Sequence, residues 1–515
     1  MKKTFKYCFM LGAVLLAGLT GCSKEVIIDG DTTGKEIDGK EGVSTYATFN
    51  FVINGADTKA SDMIDDVSET DKISDIRLII FKTGAATTCE VNEVYDASTT
   101  GWDAKKSKTV QLTSGTKRIF VITNALKNKS VNSLVDTTAV VVGKTTLAQF
   151  YDVTYDLGTV SNNVLADINK IKDVINKTDG YVMSNTLSAK SSFLLRGGIG
   201  MDESREGKNG EKENNFSIQI QRTVAKACVF YKESKVLNTT DKTGTLSALK
   251  YTFQNVNRAL HPFQKFASDM VDPAGNMPHS PYYSLAAGAA QVTYDTTYFS
   301  GYNFADVTTK DEKCFYITEN TSETPRNGTT TYAAIESVFL PKKGMVADTC
   351  AFNKTLGAFE KVTFNKNDMT TAATLYKLVD VGNVKGVPAN IFFTDKTLAY
   401  TTAYCIKNGK ADGFDISKID ELKWDGATGK GYIVEYAGGK SYHRLNIGEN
   451  NAPNFIPGVK RNNVYQANIT SFAGIGVPNI KDLNKDPDKP IGQKTHVTAT
   501  ISVLSWSKVP TDHEL

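Results

Sequence analysis

The sequence predicts an all-β protein: two β-sandwich domains, one minor helix and a strand-bearing C-terminal extension. Three observations carry this expectation. Short runs alternate apolar and polar residues with a period of two along most of the chain. These runs are rich in Val, Ile, Thr, Tyr and Phe and are parted by Asn-Gly and Gly-Gly turns. At 515 residues the chain is also too long for one ordinary core, so two or three domains are expected. A hydrophobic share of 40% with 22% charge is that of a globular protein. The 59 basic and 56 acidic residues are scattered and leave a net charge of +3, so no basic stripe argues for nucleic acid.

Taken in order, the chain opens with Lys2, Lys3 and Lys6 ahead of an apolar run, residues 8–19, too short to span a membrane. The run ends in Leu19-Thr20-Gly21-Cys22, which resembles a bacterial lipobox. That resemblance implies a signal peptide over 1–21, cleavage before Cys22 and a diacylglycerol on the Cys22 thiol. An ordinary secretory signal containing a chance cysteine is the alternative. A polar, Gly-rich tether follows.

Residues 44–53 read as the first strand, with Ala47, Phe49, Phe51 and Ile53 inward and Thr48, Asn50 and Val52 outward. Asn54-Gly55 ends it, and Lys59 is the only basic residue of the small loop that follows. Further strands are expected at 76–81 and 117–125, and a helix at 162–177 from the spacing of Val164, Ile168, Ile171 and Ile175. A polar loop is expected over 197–215, then a strand over 216–227, with a domain boundary near Tyr231 to Asp241. The second domain runs to about 473, with strands at 248–253, 314–318, 431–436 and 463–469. Residues 474–494, with Pro478, Pro487 and Pro490, are expected to form an extended spacer. Beyond it Val497, Ala499, Ile501 and Val503 share one face of a last strand, which needs a sheet edge to join.

Of the seven cysteines, Cys8 leaves with the signal and Cys22 takes the lipid. Cys89, Cys228, Cys314, Cys350 and Cys405 are irregularly spaced and contain no CxxC pair, so buried thiols are expected, with one disulfide of undecided pairing left open. No HExxH, His-x-His or GxSxG pattern occurs, and no cofactor or metal is expected. Gly438-Gly439-Lys440-Ser441 imitates the end of a phosphate loop but lacks its first glycine, Val434 standing there, and reads as a hairpin turn.

The lipobox, the strand before Lys59, the 117–125 core strand, the segments 220–226 and 459–465 and the C-terminal strand together resemble one family. It is that of the shaft subunits of the type V fimbriae of Porphyromonas and Bacteroides, closer to the minor-fimbrium fimbrillins. The resemblance implies transthyretin-like sandwiches and an outer-membrane lipoprotein precursor. A trypsin-like protease would cut at Lys59-Ala60 and release the first strand, and a neighbour's Val497, Ala499, Ile501 and Val503 would fill its place. The parts are then a signal peptide (1–21), a lipidated propeptide (22–59), two sandwich domains (60–235 and 236–473) and a linker with donor strand (474–515). Implied partners are further copies, fimbrial anchor and tip subunits and the protease; nucleic acid is not among them. Porphyromonas members are cut after Arg, and Lys59 departs from that.

Three other readings compete. The first strand could be a permanent part of its sandwich, and the last could fold back as an edge strand of its own domain. The chain could instead be a surface glycan-binding lipoprotein, which predicts clustered aromatic platforms; the only tryptophans are Trp102, Trp424 and Trp506. A fimbrial anchor or tip subunit is the third; a tip would lack the donor extension or carry an extra domain.

Overall fold

The computed structural model describes most of residues 41–505. Residues 1–40, 54–72, 100–107, 157–179, 186–191, 267–277, 280–298, 380–390, 492–496, 506–515 and several shorter segments lie outside the described residues. Cys22, the Lys59-Ala60 pair, the expected helix over 162–177 and Trp506 therefore lie outside them.

The described chain is all-β, with few helices. Its first half contributes β1 (Ser44–Ile53), β2 (Asp75–Lys82), β3 (Cys89–Asp96), β4 (Lys108–Thr113), β5 (Gly115–Thr123), β6 (Met183–Asn185) and β7 (Asn215–Arg222). These lie in one sheet in the order β3-β2-β5-β6-β7-β1-β4. β4 and β5 are adjacent in the chain, parted only by Ser114, yet β4 ends the sheet while β5 lies near its other end. The turn between them uses Gly115 at a φ of +105°, open to glycine and strained for other residues. That connection folds the sheet over on itself, as in a sandwich. β2 reads DIRLIIFK and is buried along nearly its whole length, as a strand covered on both faces should be. On one side Phe81, Phe120 and Phe150 pack with centroids 4.8–5.6 Å apart, and Phe263 from the second half joins them.

The second half contributes β8 (Val224–Tyr231), β9 (Gly244–Gln254), β10 (Phe315–Thr318), β11 (Tyr332–Pro341), β12 (Lys440–Asn446), β13 (Asn463–Phe472) and β14 (Val497–Ser505). One sheet has the order β10-β8-β13-β14, and another contains β9-β11-β12. The two layers meet where Tyr251 and Phe253 of β9 pack edge-on against Phe315 of β10. Gly39–Leu515 forms one compact unit, and one apolar core runs through both halves.

Four expectations change. The run 216–227 is not one strand: β7 passes into β8 through Thr223, whose N–H and hydroxyl both bond the Val182 carbonyl, and the chain changes sheet there. The change of sheet thus comes before the expected boundary, because Val224, Ala225 and Ala227 are buried in the second half's layer. The polar stretch 197–215 is not all loop, since it contains α1 (Met201–Glu206). A longer helix, α2 (Lys396–Asn408), is capped by Asp395 and closed by Gly409 at φ +65°, and buries Ala399, Tyr400 and Ala403. Gly438-Gly439 is a turn, but not of a hairpin: Ile433–Tyr436 pairs with Leu375–Leu378, whereas β12 pairs with β11. A Cβ on Gly439 would come within 2.9 Å of the Phe339 carbonyl oxygen.

Cysteine also resolves differently from five free thiols. Cys228 of β8 and Cys314, just ahead of β10, form a disulfide with Cα atoms 4.5 Å apart. Cys89 is a buried thiol whose pKa burial pushes up to about 11.

Candidate functional site

β1 lies inside its sheet. It runs antiparallel to β4, from Ser44 opposite Thr113 to Phe49 opposite Lys108, and parallel to β7, from Thr48 opposite Asn215 to Ile53 opposite Ile220. Ala47 and Phe49 have no exposed surface, Phe51 is nearly as buried, and Phe49 stacks on Phe216 at 5.9 Å. Ile53 closes the strand; its side chain lies outside the described residues. The inward set read from alternation is therefore found for Ala47, Phe49 and Phe51.

The outward face departs from expectation at Thr48, which is buried. Its Oγ1 lies 2.7 Å from Ser204 Oγ of α1 and 3.0 Å from Thr109 Oγ1 of β4. Helix α1 covers this part of the strand, and the Thr48 hydroxyl lies between it and β4. Thr45 accepts hydrogen bonds from Ile199 N and Asn214 Nδ2, and Asn50 donates to Asn215 Oδ1 and the Phe216 carbonyl. Val52 is exposed as expected.

Vacating this position would leave a slot between β4, which has no other strand partner in the sheet order, and β7. The described residues hold β1 by backbone pairing, by packing and by the side-chain hydrogen bonds of Thr45, Thr48 and Asn50.

β14 is the second half of the site. It pairs antiparallel with β13 of its own chain, placing Val497 opposite Phe472, Ala499 opposite Ile469, Ile501 opposite Ala467 and Val503 opposite Tyr465. Val497 is buried and Ala499 half-buried; the side chains of Ile501 and Val503 lie outside the described residues. β14 is the edge strand of its sheet.

The expected extended spacer is corrected here. Val477 exchanges both backbone hydrogen bonds with Tyr442, and Tyr436 Oη donates to the Gly476 carbonyl at 2.8 Å. A 3₁₀ turn at Ile480–Asn484 follows, with the Arg444 guanidinium donating to the Leu483 carbonyl. Farther on, Asn327 N donates to the Lys489 carbonyl, Gly328 N to that of Pro487 and Ile491 N to that of Pro325. Proline withholds an N–H but keeps its carbonyl, so a proline-rich segment docks wherever donors face it. The last strand accordingly folds back onto its own chain.

The segments 220–226 and 459–465 also meet, a contact that sequence reasoning missed. Arg222 donates from its N–H and Nη1 to Asn462 Oδ1, and Asn462 N donates to the Val224 carbonyl. Next to them Arg461 and Glu319 form a buried ion pair at 3.1 Å, and the Tyr181 and Tyr316 hydroxyls lie 2.7 Å apart across the change of sheet. Each segment carries two basic residues, Arg222 and Lys226 in one and Lys460 and Arg461 in the other, but nothing in either sequence points to the other.

Among the described residues no group of three or more His, Cys, Asp or Glu is placed to hold a metal, and no helix is long and apolar enough to cross a membrane.

Residues 434–512 match the family model described as major fimbrial subunit protein type IV, fimbrillin, C-terminal. Among curated proteins no relative matches the chain. Solved structures similar to this chain include a Parabacteroides distasonis protein assigned to cell adhesion, 11% identical, covering 92% of this chain and 99% of that one at a TM-score of 0.42. A fimbrilin of Porphyromonas gingivalis is 13% identical and covers 91% and 99% at a TM-score of 0.40. The tip fimbrial protein Mfa3 of the same organism, with a C-terminal truncation, is 11% identical and covers 89% and 99% at a TM-score of 0.32.

Proposed function

We infer that this chain, a fimbrillin-type fimbrial subunit and not an enzyme, is a shaft subunit that polymerises at the cell surface by strand exchange. The precursor is exported as a lipoprotein on Cys22 and held at the outer membrane. A trypsin-like protease cuts at Lys59-Ala60, β1 leaves, and β14 of another copy takes its position. Repetition gives a head-to-tail filament that does not close. Anchor and tip subunits are its further partners, and adhesion and biofilm formation its use.

The observation that carries this reading is the placement of β1. The first described strand fills an interior position of a sheet, and Lys59 is the first of the two basic residues, Lys59 and Lys72, between it and β2.

Energetics favour the exchange once the cut is made. Burying each large side chain of β1 is worth about 1.5–3 kcal/mol, and the intact chain holds that strand at an effective concentration of about millimolar or more. A neighbour at roughly micromolar concentration does not displace it; cutting removes the tether's advantage. The donor must also leave β13. There it makes one ladder at an edge, whereas between β4 and β7 it would make two. The donor strand thereby gains one ladder, while the departing β1 gives up its two.

Lys59→Ala is expected to leave a folded, surface-displayed monomer. Heat-stable ladders from this variant on SDS gels would sink the reading.

A further inference from the structure

We propose that the donated β14 enters the position of β1 in the same chain direction and in one register, with Ala499 at the place of Ala47 and Thr500 at that of Thr48. The proposal rests on the strand-exchange reading and specifies how a second copy of this chain is recognised.

The two strands match from Ala47 onward, whereas at the place of Thr45, Val497 offers no acceptor to Ile199 N and Asn214 Nδ2. Thr45-Tyr46-Ala47-Thr48-Phe49-Asn50-Phe51-Val52 lies against Val497-Thr498-Ala499-Thr500-Ile501-Ser502-Val503-Leu504. Ala-Thr recurs at the centre, apolar residues follow at the places of Phe49 and Phe51, and an apolar residue falls at the exposed place of Val52.

The Ala47 place fixes the register. Ala47 is fully buried opposite Val110, and a longer side chain would overpack it. Ala499 is the only alanine of β14. A shift of two residues one way puts Ile501 at this place; the other way puts Val497 there and leaves Ala499 where Phe49 fills the core. A shift of one residue turns the apolar face outward. Reversing the direction about Ala499 would bring His496 and Thr495 to the places of Asn50 and Phe51, setting a hydroxyl where the core has a phenyl ring.

Thr48 supplies the second condition. Its buried hydroxyl, between Thr109 and Ser204, is met by the hydroxyl of Thr500. The match is not complete, since Ile501 and Val503 are smaller than the phenylalanines they replace. Ile501→Phe should therefore tighten the filament.

The test uses full-length chains assembled on cells. Ser204→Cys is combined in turn with Thr498→Cys, Thr500→Cys or Ser502→Cys, and boiled, non-reduced filaments are run on SDS gels. The Thr500→Cys pair is expected to give a covalent ladder that reductant abolishes, and the other two none. A ladder from Thr498→Cys or Ser502→Cys instead, or none from any pair while the unaltered chain assembles, overturns the register but leaves strand exchange standing. Failure of the unaltered, protease-matured chain to assemble removes both. Ala499→Leu provides an independent reading: the monomer should melt as before, because Ala499 is only half-buried in its own chain. Filament yield should fall roughly tenfold or more. Unchanged assembly of Ala499→Leu contradicts the proposal.

Discussion

Asp75 opens β2 with its carboxylate inside the protein, where Oδ1 accepts from the N–H groups of Ala125 and Leu126. Burial raises its pKa despite those bonds and the bond from Ser74. A carboxyl with a raised folded pKa binds protons more readily in the native than in the unfolded state. Its charge therefore costs stability above the ordinary value of 3.8, and the cost disappears below that value. Asp75→Asn keeps the accepting oxygen and removes the charge. It should resist urea better than the parent at pH 7, with the difference lost below 3.8. The disulfide acts at the same scale. Cys228 and Cys314 are separated by 86 residues, and replacing both with serine should cost about 4.6 kcal/mol by the chain-entropy relation. Parallel denaturant titrations of the two forms measure it. Neither feature was legible beforehand, since the cysteine spacing allows several pairings and Asp75 is one of many carboxylates in the sequence.

At the scale of elements, β1 and β14 could be read because a half-buried strand writes its burial as a period of two. What covers the outer face could not. Thr48 looks solvent-facing until α1, hidden in a polar run, is laid over it. The spacer misled for a related reason: composition reports the donors that proline lacks, while its docking depends on carbonyls and on donors such as Asn327 N and Gly328 N from distant loops. This docking yields a prediction of its own. Ending the chain after Lys494 removes β14, uncovers the edge of β13 and forfeits the burial of Val497, a loss of roughly 1.5–3 kcal/mol. The shortened monomer should melt lower but still in one cooperative step, and it should form no filaments. Filaments from it would mean that another segment makes the contact.

The whole molecule repeats one arrangement. β1 lies between parallel β7 and antiparallel β4, and β8 lies between parallel β13 and antiparallel β10. In the first half the opening strand β1 pairs with the closing strand β7, and in the second the opening strand β8 pairs with β13, the strand before the last. Their attachments differ: β8 continues directly from β7 and is tied to Cys314, whereas β1 has neither constraint. Two equivalently placed strands, one tied by a disulfide and one without it, are what a subunit needs if one groove is to open without loosening the other. The all-β character was legible from the alternation pattern. The meeting of Arg222 with Asn462, 240 residues apart, was not, because nothing local in either segment encodes the other. Release of β1 is the central claim, and the N-terminus of the subunit in purified filaments tests it most directly. Mass spectrometry should find a chain beginning at Ala60, without β1; a filament subunit that still begins at a lipidated Cys22 would contradict the account.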